Sequence, residues 1–575
     1  MSLLNFSKAN CKNCYKCLRS CPVKAIKIKN EQAEIVEERC IGCGQCLIIC
    51  PQDARNIKSD LEEVKKAISE KRKVIASIAP SFPGAFDMKD PGQIITALKH
   101  IGFYGVEETA IGAEIVANHY HEIAEGANYE NLITTCCPSA NYLIDRYFPE
   151  LTHYLIPIVS PMLAHGKVLK SIHGRDCYVV FIGPCTAKKI EALSFQHKGT
   201  IDAVLTFEEL SKWFAEAAIE LEKIEPGIFL KESHRSGRGF PLGGGVISSF
   251  GKGENGSKYE RMRVDGIEEC MGIFQSIKDG NISRVCVEAN ICRGGCINGP
   301  GMPKCQSDFF KRQKKIKEYL GSIDHNIGNS GEEIYSEINL SKLFIGRPIQ
   351  KDRASEEELA KILRRIGKFK PADELNCGGC GYNTCREKAQ AVFEGMAELN
   401  MCLPNMRSKA ESLTNVIFEN SPNVIMVVDD KFHVKEFNPT AEKIFGISSE
   451  EIKEKPLAVI LNDDLFQRVK ENKTSLFGQK VHYPEYDVVL LQSIVYLENQ
   501  NMMLAIMTNI TREENQRKEL KLVKENALNA AQKVIVKQMR VAQEIASLLG
   551  ETTAETKVTL TKLKEIAIDE TGDEE

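Results

Sequence analysis

Cysteine is the residue whose spacing says most in this chain. There are 21. Cys11, Cys14, Cys17 and Cys21 are followed by Pro22, and Cys40, Cys43, Cys46 and Cys50 by Pro51, so that C-x2-C-x2-C-x3-C-P occurs twice. Cys136 and Cys137 stand side by side before Pro138. Cys185 follows Gly183-Pro184, and Cys292 and Cys296 bracket a Gly-Gly pair. Cys377, Cys380, Cys385 and Cys402 follow C-x2-C-x4-C-x16-C. In a reducing compartment clustered thiols serve metal or redox chemistry rather than disulfides. Neighbouring side chains in an extended segment face opposite sides. Cys136 and Cys137 therefore have two different tasks.

The doubled N-terminal run has the spacing of a two-cluster bacterial ferredoxin, in which the fourth thiolate of each run crosses to the other cluster. This assigns Cys11, Cys14, Cys17 and Cys50 to one [4Fe-4S] cluster and Cys40, Cys43, Cys46 and Cys21 to a second. Zinc also accepts C-x2-C, but it does not account for eight cysteines in two matching runs with trailing prolines.

The elements that must position the remaining thiols are short β-rich runs ended by Pro or Gly. Residues 74–79 run into Pro80, 131–135 into Cys136, 178–182 into Gly183-Pro184-Cys185, and 285–289 into Asn290 and Cys292. Helical patterns such as 208–223 lie between them, which predicts α/β units. In open α/β sheets sites collect at the carboxyl ends of strands. Those ends deliver Cys137, Cys185, Cys292 and Cys296, enough for one more cubane.

TTCCPSA, GPCTAKKIE and ANICRGGCINGPG resemble, in order, the three cysteine signatures of the [FeFe]-hydrogenase catalytic domain. The resemblance spans roughly residues 70–310. It implies that Cys137, Cys185, Cys292 and Cys296 hold the [4Fe-4S] part of an H-cluster. It also implies that Cys296 bridges to a diiron subcluster carrying CO and CN ligands, and that Cys136 shuttles protons. An ordinary thiol pKa of about 8.5 keeps both protonation states within reach near neutrality. By the same resemblance Lys188 and Ser160 donate to the cyanides, the Pro80-Ser81 loop lies across the diiron site, and Gly243, Gly244 and Gly245 form a close-approach segment.

The chain also departs from the pattern. Gly183 and Asn290 stand where the fast enzymes have methionines, which predicts a roomier, more polar pocket. Tyr120 and Ile123 fall where two relay glutamates belong, with His119, His121 or Glu122 as substitutes. The expectation is an intact cluster with an altered proton route and modest turnover. Cys177, Cys270, Cys286 and Cys305 are read as structural.

The run from Cys377 to Cys402 resembles the small [4Fe-4S] domain of anaerobic redox proteins, with zinc as the competing occupant. Beyond Cys402 there is no cysteine. Strand-like runs at 423–428, 433–437, 486–491, 493–498 and 502–507 resemble a PAS domain over about 412–512. Its closing MTNIT has Asn509 in place of an aspartate. Asn438-Pro439 reads as a helix start, Gly446 as its stop, and Ser448 with Glu451 as a capping box. With no cysteine, a thiol-linked flavin photosensor is excluded, and His433 and His482 do not suggest haem. Leu520, Val523, Ala527, Ala530 and Val534 recur by three and four as in a coiled-coil seam, until Lys537 interrupts. The DETGDEE tail reads as disordered.

The whole is a multidomain α+β and α/β chain of 575 residues, 43% hydrophobic and 27% charged, with net charge -4. The expected division is a ferredoxin fold at 1–60, an H-cluster domain at 61–345, a [4Fe-4S] domain at 346–410, PAS at 411–512, and a signalling helix with an acidic tail at 513–575. The charge gives no argument for nucleic acid. No apolar run approaches the ~18–20 residues that span a bilayer. The N-terminus lacks a signal-peptide core, so a cytoplasmic protein of an anaerobe is expected. Three readings follow. One is a slow, sensory hydrogenase for H2 and protons, linked to a ferredoxin-like redox partner and reporting through a PAS-mediated homodimer to a separate kinase, phosphatase or regulator. The second is a metabolic, ferredoxin-linked hydrogenase. The third is a hydrogenase-like iron-sulfur assembly protein without a diiron site. Cys136 and Lys188 argue against the third.

Overall fold

The computed structural model describes residues 4–6, 10–126, 128–231, 233, 235–249, 258–304, 308–321, 338–350, 352–498, 500–549 and 558–564. Cys305 and the DETGDEE tail lie outside these. The chain divides into two compact units, Met1–Met406 and Arg407–Glu575.

In the first unit β1 (Leu4–Phe6) pairs antiparallel with β4 (Arg55–Ile57), and β2 (Ile26–Lys29) with β3 (Gln32–Ile35). The β2–β3 turn places Asn30 and Glu31 at φ 50° and 57°. Both left-handed positions of a two-residue hairpin are thus filled, by Asn and by a less suited Glu. Short helices Lys16–Arg19 and Gln45–Ile49 carry the middle thiols of the two cysteine runs.

Two parallel sheets follow. One has the order β6-β5-β8-β9, formed by Gly105–Glu108, Val74–Ile78, Tyr178–Gly183 and Ala203–Thr206. The other has the order β10-β11-β7, formed by Glu260–Asp265, Val285–Asn290 and Leu132–Ile133. β5, β8 and β11 are buried along their whole length, as strands covered on both faces must be. The expected strand over 131–135 shrinks to Leu132–Ile133, because Thr135 spends its hydrogen bonds on Tyr120, Ile156 and Ile158.

The helix expected over 208–223 also ends early. It runs Phe207–Glu216 from a capping box of Thr206 with Glu209, then turns through Ala217 and Ala218, the latter at φ 53°. The turn packs Ile219, Leu221 and Ile224 against the main core.

In the second unit β12 (Val424–Asp429), β13 (Val434–Phe437), β14 (Leu476–Tyr483), β15 (Val488–Leu497) and β16 (Met502–Asn509) form one antiparallel sheet of order β13-β12-β16-β15-β14. Two of the expected runs, 486–491 and 493–498, are one strand, and β14 was not expected at all. Helix Thr511–Leu549 follows as a single 39-residue element, with Leu520, Val523 and Val534 exposed.

Candidate functional site

Five strand ends meet at one place. Ala79, Pro80 and Ser81 follow β5; Thr109 follows β6; Cys136 follows β7; Pro184 and Cys185 follow β8; and Asn290 closes β11. With Lys188, Phe181, Met162 and Cys296 they line a single chamber of ≈ 620 Å³, its mouth included. Cys137 caps helix Pro138–Tyr147. Cys292 and Cys296 lie within electrostatic reach of Cys185 and Cys137. The four thiols read from the sequence as one ligand set are therefore neighbours, and Cys136, Cys185 and Cys296 also face the chamber.

Cys136 makes the contact its altered surroundings call for. Its Sγ lies 3.5 Å from the hydroxyl of Tyr120, a fully buried side chain on helix Ala110–Gly126. That hydroxyl also accepts from Thr135 N at 2.8 Å and meets Thr135 Oγ1 at 2.8 Å. Burial pushes the Cys136 thiol up to about 12, against the pull of the Tyr120 hydrogen bond and of Lys188. Burial thus favours the neutral, proton-bearing thiol. The substitutes considered from the sequence do not take this place. Nδ1 of His119 lies 2.9 Å from the Ile115 carbonyl on its own helix, and Glu122 is exposed.

Lys188 and Ser160 converge on a residue the sequence reading missed. Lys188 Nζ donates to Glu191 Oε2 at 2.8 Å and to the Cys136 carbonyl at 3.3 Å. Ser160 Oγ donates to the same Glu191 oxygen at 2.8 Å, and Lys342 Nζ to Oε1 at 3.1 Å. Burial opposes ionisation of Glu191, but Lys188 and Lys342 outweigh it and hold the carboxyl down to about 2. Lys188 lines the chamber; Ser160 stops short of it, at the N-cap of helix Pro161–His173. The i,i+3 spacing of Lys188 and Glu191 was the available signal.

The departures from the expected pocket also have physical accounts. A Cβ at Gly183 would lie 2.7 Å from Phe181 Cζ and 3.1 Å from Ala79 Cβ. Phe181, two residues back on the same face of β8, fills that space, so the chamber is not roomier there. Asn290 turns its amide to Glu288 at 2.8 Å. The Glu288 carboxylate accepts from Gly244 N at 2.8 Å and Ile247 N at 2.9 Å. A Cβ at Gly245 would sit 2.0 Å from the Gly239 carbonyl, so the glycine run is required by close backbone approach.

The remaining cysteines form two further rings. Cys11, Cys14, Cys17 and Cys50 line a chamber of ≈ 390 Å³; Cys377, Cys380, Cys385 and Cys402 line another of ≈ 360 Å³. Cys43 lies within electrostatic reach of Cys21, Cys46 and Cys40. The two pockets each bring together one set read from spacing, and Cys43 lies near the other three cysteines of its set. Among the described residues no three His, Cys, Asp or Glu side chains converge on a point as a single zinc ion requires. Thiolates in sets of four suit cubanes. The donor sets thus fit iron-sulfur clusters. Ser81 Oγ, a buried atom with no hydrogen-bond partner at the chamber wall, fits a polar occupant there. Cys177, Cys270 and Cys286 are buried in the apolar cores, Cys270 in the one that Cys137 borders.

A parallel-sheet domain with thiols at its strand ends, joined to ferredoxin-type cysteine rings, defines an iron-sulfur redox protein. Residues 72–300 match the iron-only hydrogenase large subunit, C-terminal domain family. Residues 3–51 match the 4Fe-4S dicluster domain, 373–404 an Fe-S cluster family, and 412–480 the PAS domain. Iron hydrogenase 1 of Clostridium pasteurianum is 29% identical over 323 residues, 46% of this chain and 56% of that protein. The chain thus spans little more than half of that relative's length. The periplasmic [Fe] hydrogenase large subunit of Nitratidesulfovibrio vulgaris is 28% identical over 367 residues, 53% of this chain and 87% of that one. A solved [FeFe]-hydrogenase, HydA(deltaEFG), aligns at 19% identity and TM-score 0.38, covering 46% of this chain and 88% of its own. The chain is therefore an iron-sulfur protein with hydrogenase-type and PAS domains. Among the described residues no helix is long and apolar enough to cross a membrane.

Proposed function

We propose that the chain is a sensory [FeFe]-hydrogenase that reversibly activates H2 and reports the result through its PAS domain. The observation that carries this is the single chamber to which separate strand ends bring Pro80, Ser81, Cys136, Cys185 and Cys296, with Lys188 from the following helix. Cys137, Cys185, Cys292 and Cys296 would hold the H-cluster, Cys185 and Cys296 from the chamber wall. When bound, the H-cluster supplies heterolysis of H2 and a two-electron exchange. Lys188 presents a fixed ammonium to an anionic ligand, with Glu191 holding it in place. Ser81 offers a free hydroxyl at the chamber wall, while Ser160 acts through Glu191. Cys136 holds the proton nearest the reacting atoms. Phe181, Met162 and Pro80 exclude water.

Cys11, Cys14, Cys17 and Cys50, then Cys40, Cys43, Cys46 and Cys21, and then Cys377, Cys380, Cys385 and Cys402 would hold three further [4Fe-4S] clusters, which would supply electron transfer to a ferredoxin-like carrier. The exposed Leu520, Val523 and Val534 face of helix Thr511–Leu549 serves a homodimer that presents the signal to a partner kinase, phosphatase or regulator.

The test is an infrared spectrum of anaerobically matured protein under H2 and then under inert gas. Sharp carbonyl and cyanide bands that move with the gas support the proposal. Replacing Cys136 by Ala should then cut turnover by about 10²-fold or more with the bands retained. Absence of bands, after maturation that loads a control enzyme, moves the reading to an iron-sulfur assembly protein. Fast turnover with ferredoxin and a helix indifferent to H2 moves it to a metabolic enzyme.

A further inference from the structure

One line of buried polar side chains in the hydrogenase-type domain is left unused by the thiol chemistry. It begins at Thr109, which lines the chamber at the end of β6. The Thr109 hydroxyl is 2.8 Å from that of Ser77 on β5. Ser77 Oγ is 2.8 Å from Nδ1 of His165. The other nitrogen of that ring, Nε2, is 3.3 Å from Oε2 of Glu107. The second carboxylate oxygen, Oε1, is 3.1 Å from Nε2 of His173. Ser77 and His165 are 0% exposed, whereas the His173 side chain, at the end of helix Pro161–His173, is 15% exposed. The line starts at the chamber and ends at solvent.

Packing alone gives no reason for it. Ser77 lies between Ala76 and Ile78 in a wholly buried strand, where an apolar side chain avoids the cost of desolvating a hydroxyl. Each member has the property that proton hopping requires. A hydroxyl donates and accepts at once; an imidazole takes a proton on one nitrogen and releases one from the other. Glu107 turns one oxygen to each histidine. Burial alone would raise its carboxyl, but the hydrogen bonds from His165 and His173 hold it below the ordinary value. On the Cys136 side, by contrast, Thr135 Oγ1 donates to the main-chain carbonyls of Ile156 and Ile158, which accept a proton bond but pass nothing on.

We infer that Thr109, Ser77, His165, Glu107 and His173 form a second proton line between the chamber and the surface, separate from Cys136 and Tyr120. Its use in catalysis rests on the proposed hydrogen chemistry of the chamber. For each proton that Thr109 takes from the chamber, one leaves His173 to water. Every member between gains one and loses one, and the electrons depart through the thiolate-held clusters. Running in reverse, the same line delivers protons for H2 formation.

Two measurements test it. In the full chain before diiron maturation, labelled with 15N-histidine, the ring proton of His165 should exchange with D2O far faster than the β5 backbone amides beside it. Glu107→Gln should slow that exchange about tenfold or more, in line with the size of positioned proton-transfer effects. A wild-type ring proton retained as long as those amides overturns the line, whatever the chamber binds. In matured protein, Ser77→Ala should lower H2 turnover by about 10²-fold with carbonyl and cyanide bands at wild-type positions. His173→Ala should fall likewise and recover with added imidazole, a recovery that a packing role does not produce. Wild-type turnover in Ser77→Ala overturns the catalytic use of the line. Wild-type protein that forms no carbonyl or cyanide bands sinks the hydrogenase reading instead, and the exchange measurement still decides whether the line conducts.

Discussion

Glu191 shows what a single buried charge does when several partners share it. Its carboxylate accepts from Lys188, Ser160 and Lys342 inside the domain, at 1% exposure. A carboxyl held down to about 2 in the folded chain, against 4.5 ordinarily, stabilises the fold at any pH above the unfolded value. That stabilisation is lost as pH falls from about 4.5 through 2. Glu191→Gln leaves two lysines without their counter-charge, and breaking a buried pair this way costs about 3–5 kcal/mol. The expected outcome is a large loss of denaturant stability at pH 7 and a difference from wild type that shrinks as both proteins approach pH 3. A constant difference across that range counts against the coupling. The same variant should loosen Lys188, so the cyanide bands of matured protein should shift, whereas Cys136→Ala should leave them nearly in place.

The elements the sequence announced best are those where local chemistry and tertiary demand agree. β5, β8 and β11 are short, β-rich runs cut by Pro, Gly or Asn, and they sit within a residue of where the pattern places them. The PAS-type helix Pro439–Phe445 has its expected Asn438 cap and its Gly446 stop at φ +67°. β14 was illegible because it is mostly exposed and carries Gly478, Gln479 and Lys480, which carry no alternating apolar signal. Gln492 made β15 look like two strands; it is in fact buried at 1% exposure and accepts from the Tyr483 hydroxyl at 2.8 Å. At the site, Cys136, Cys185 and Cys296 were legible as chamber residues because each stands just past a strand that a Pro or Gly breaker ends. Glu191 and the Ser77–His165–Glu107 line were not, since residues far apart in sequence meet only through the sheet. Asn438 repays a test at this scale. Besides capping Ala441 N, it accepts from Ile425 N at 2.9 Å and donates to Asn423 O at 2.9 Å and Phe418 O at 3.2 Å, fully buried. Asn438→Ala strips the cap and leaves buried backbone groups unpaired, so the Arg407–Glu575 unit should lose about 2 kcal/mol or more. Calorimetry should show its transition move down while that of the cluster-bearing unit stays.

Across the first unit two apolar clusters explain why the cysteine rings occur in one compact body. One packs Val23, Ala25 and Ile41 of the ferredoxin-type segment with Leu143, Phe274 and Val287 of the hydrogenase-type domain, and Cys21, Cys40, Cys43 and Cys137 border it. The other packs Leu18, Ile26 and Ile28 with Tyr382, Met396 and Met401, and Cys11, Cys17 and Cys380 border that one. Ile28 N donates to the Met396 carbonyl at 3.0 Å and Lys24 Nζ to the Gly381 carbonyl at 2.7 Å, which pins the small domain to the ferredoxin-type hairpin. The ferredoxin-type segment is thus bordered on one side by the chamber's thiols and on the other by the Cys377–Cys402 ring. The Cys402 carbonyl accepts the first helical bond, from Met406 N at 2.9 Å, of helix Leu403–Asn420, which runs into the PAS-type domain. In the proposed reading Cys402 would be a ligand of the last cluster, and its main-chain carbonyl opens this helix. Cys402→Ala should lose about four iron atoms per chain, one cubane's worth. H2 turnover with a small dye should persist, because the chamber and the inner clusters keep their ligands. What should disappear is any difference in protease cleavage of helix Thr511–Leu549 between H2 and argon. A variant that keeps its gas-dependent cleavage pattern shows that the signal bypasses this ring, and turnover lost together with the iron shows that the ring lies on the main electron route rather than on a branch to the sensor.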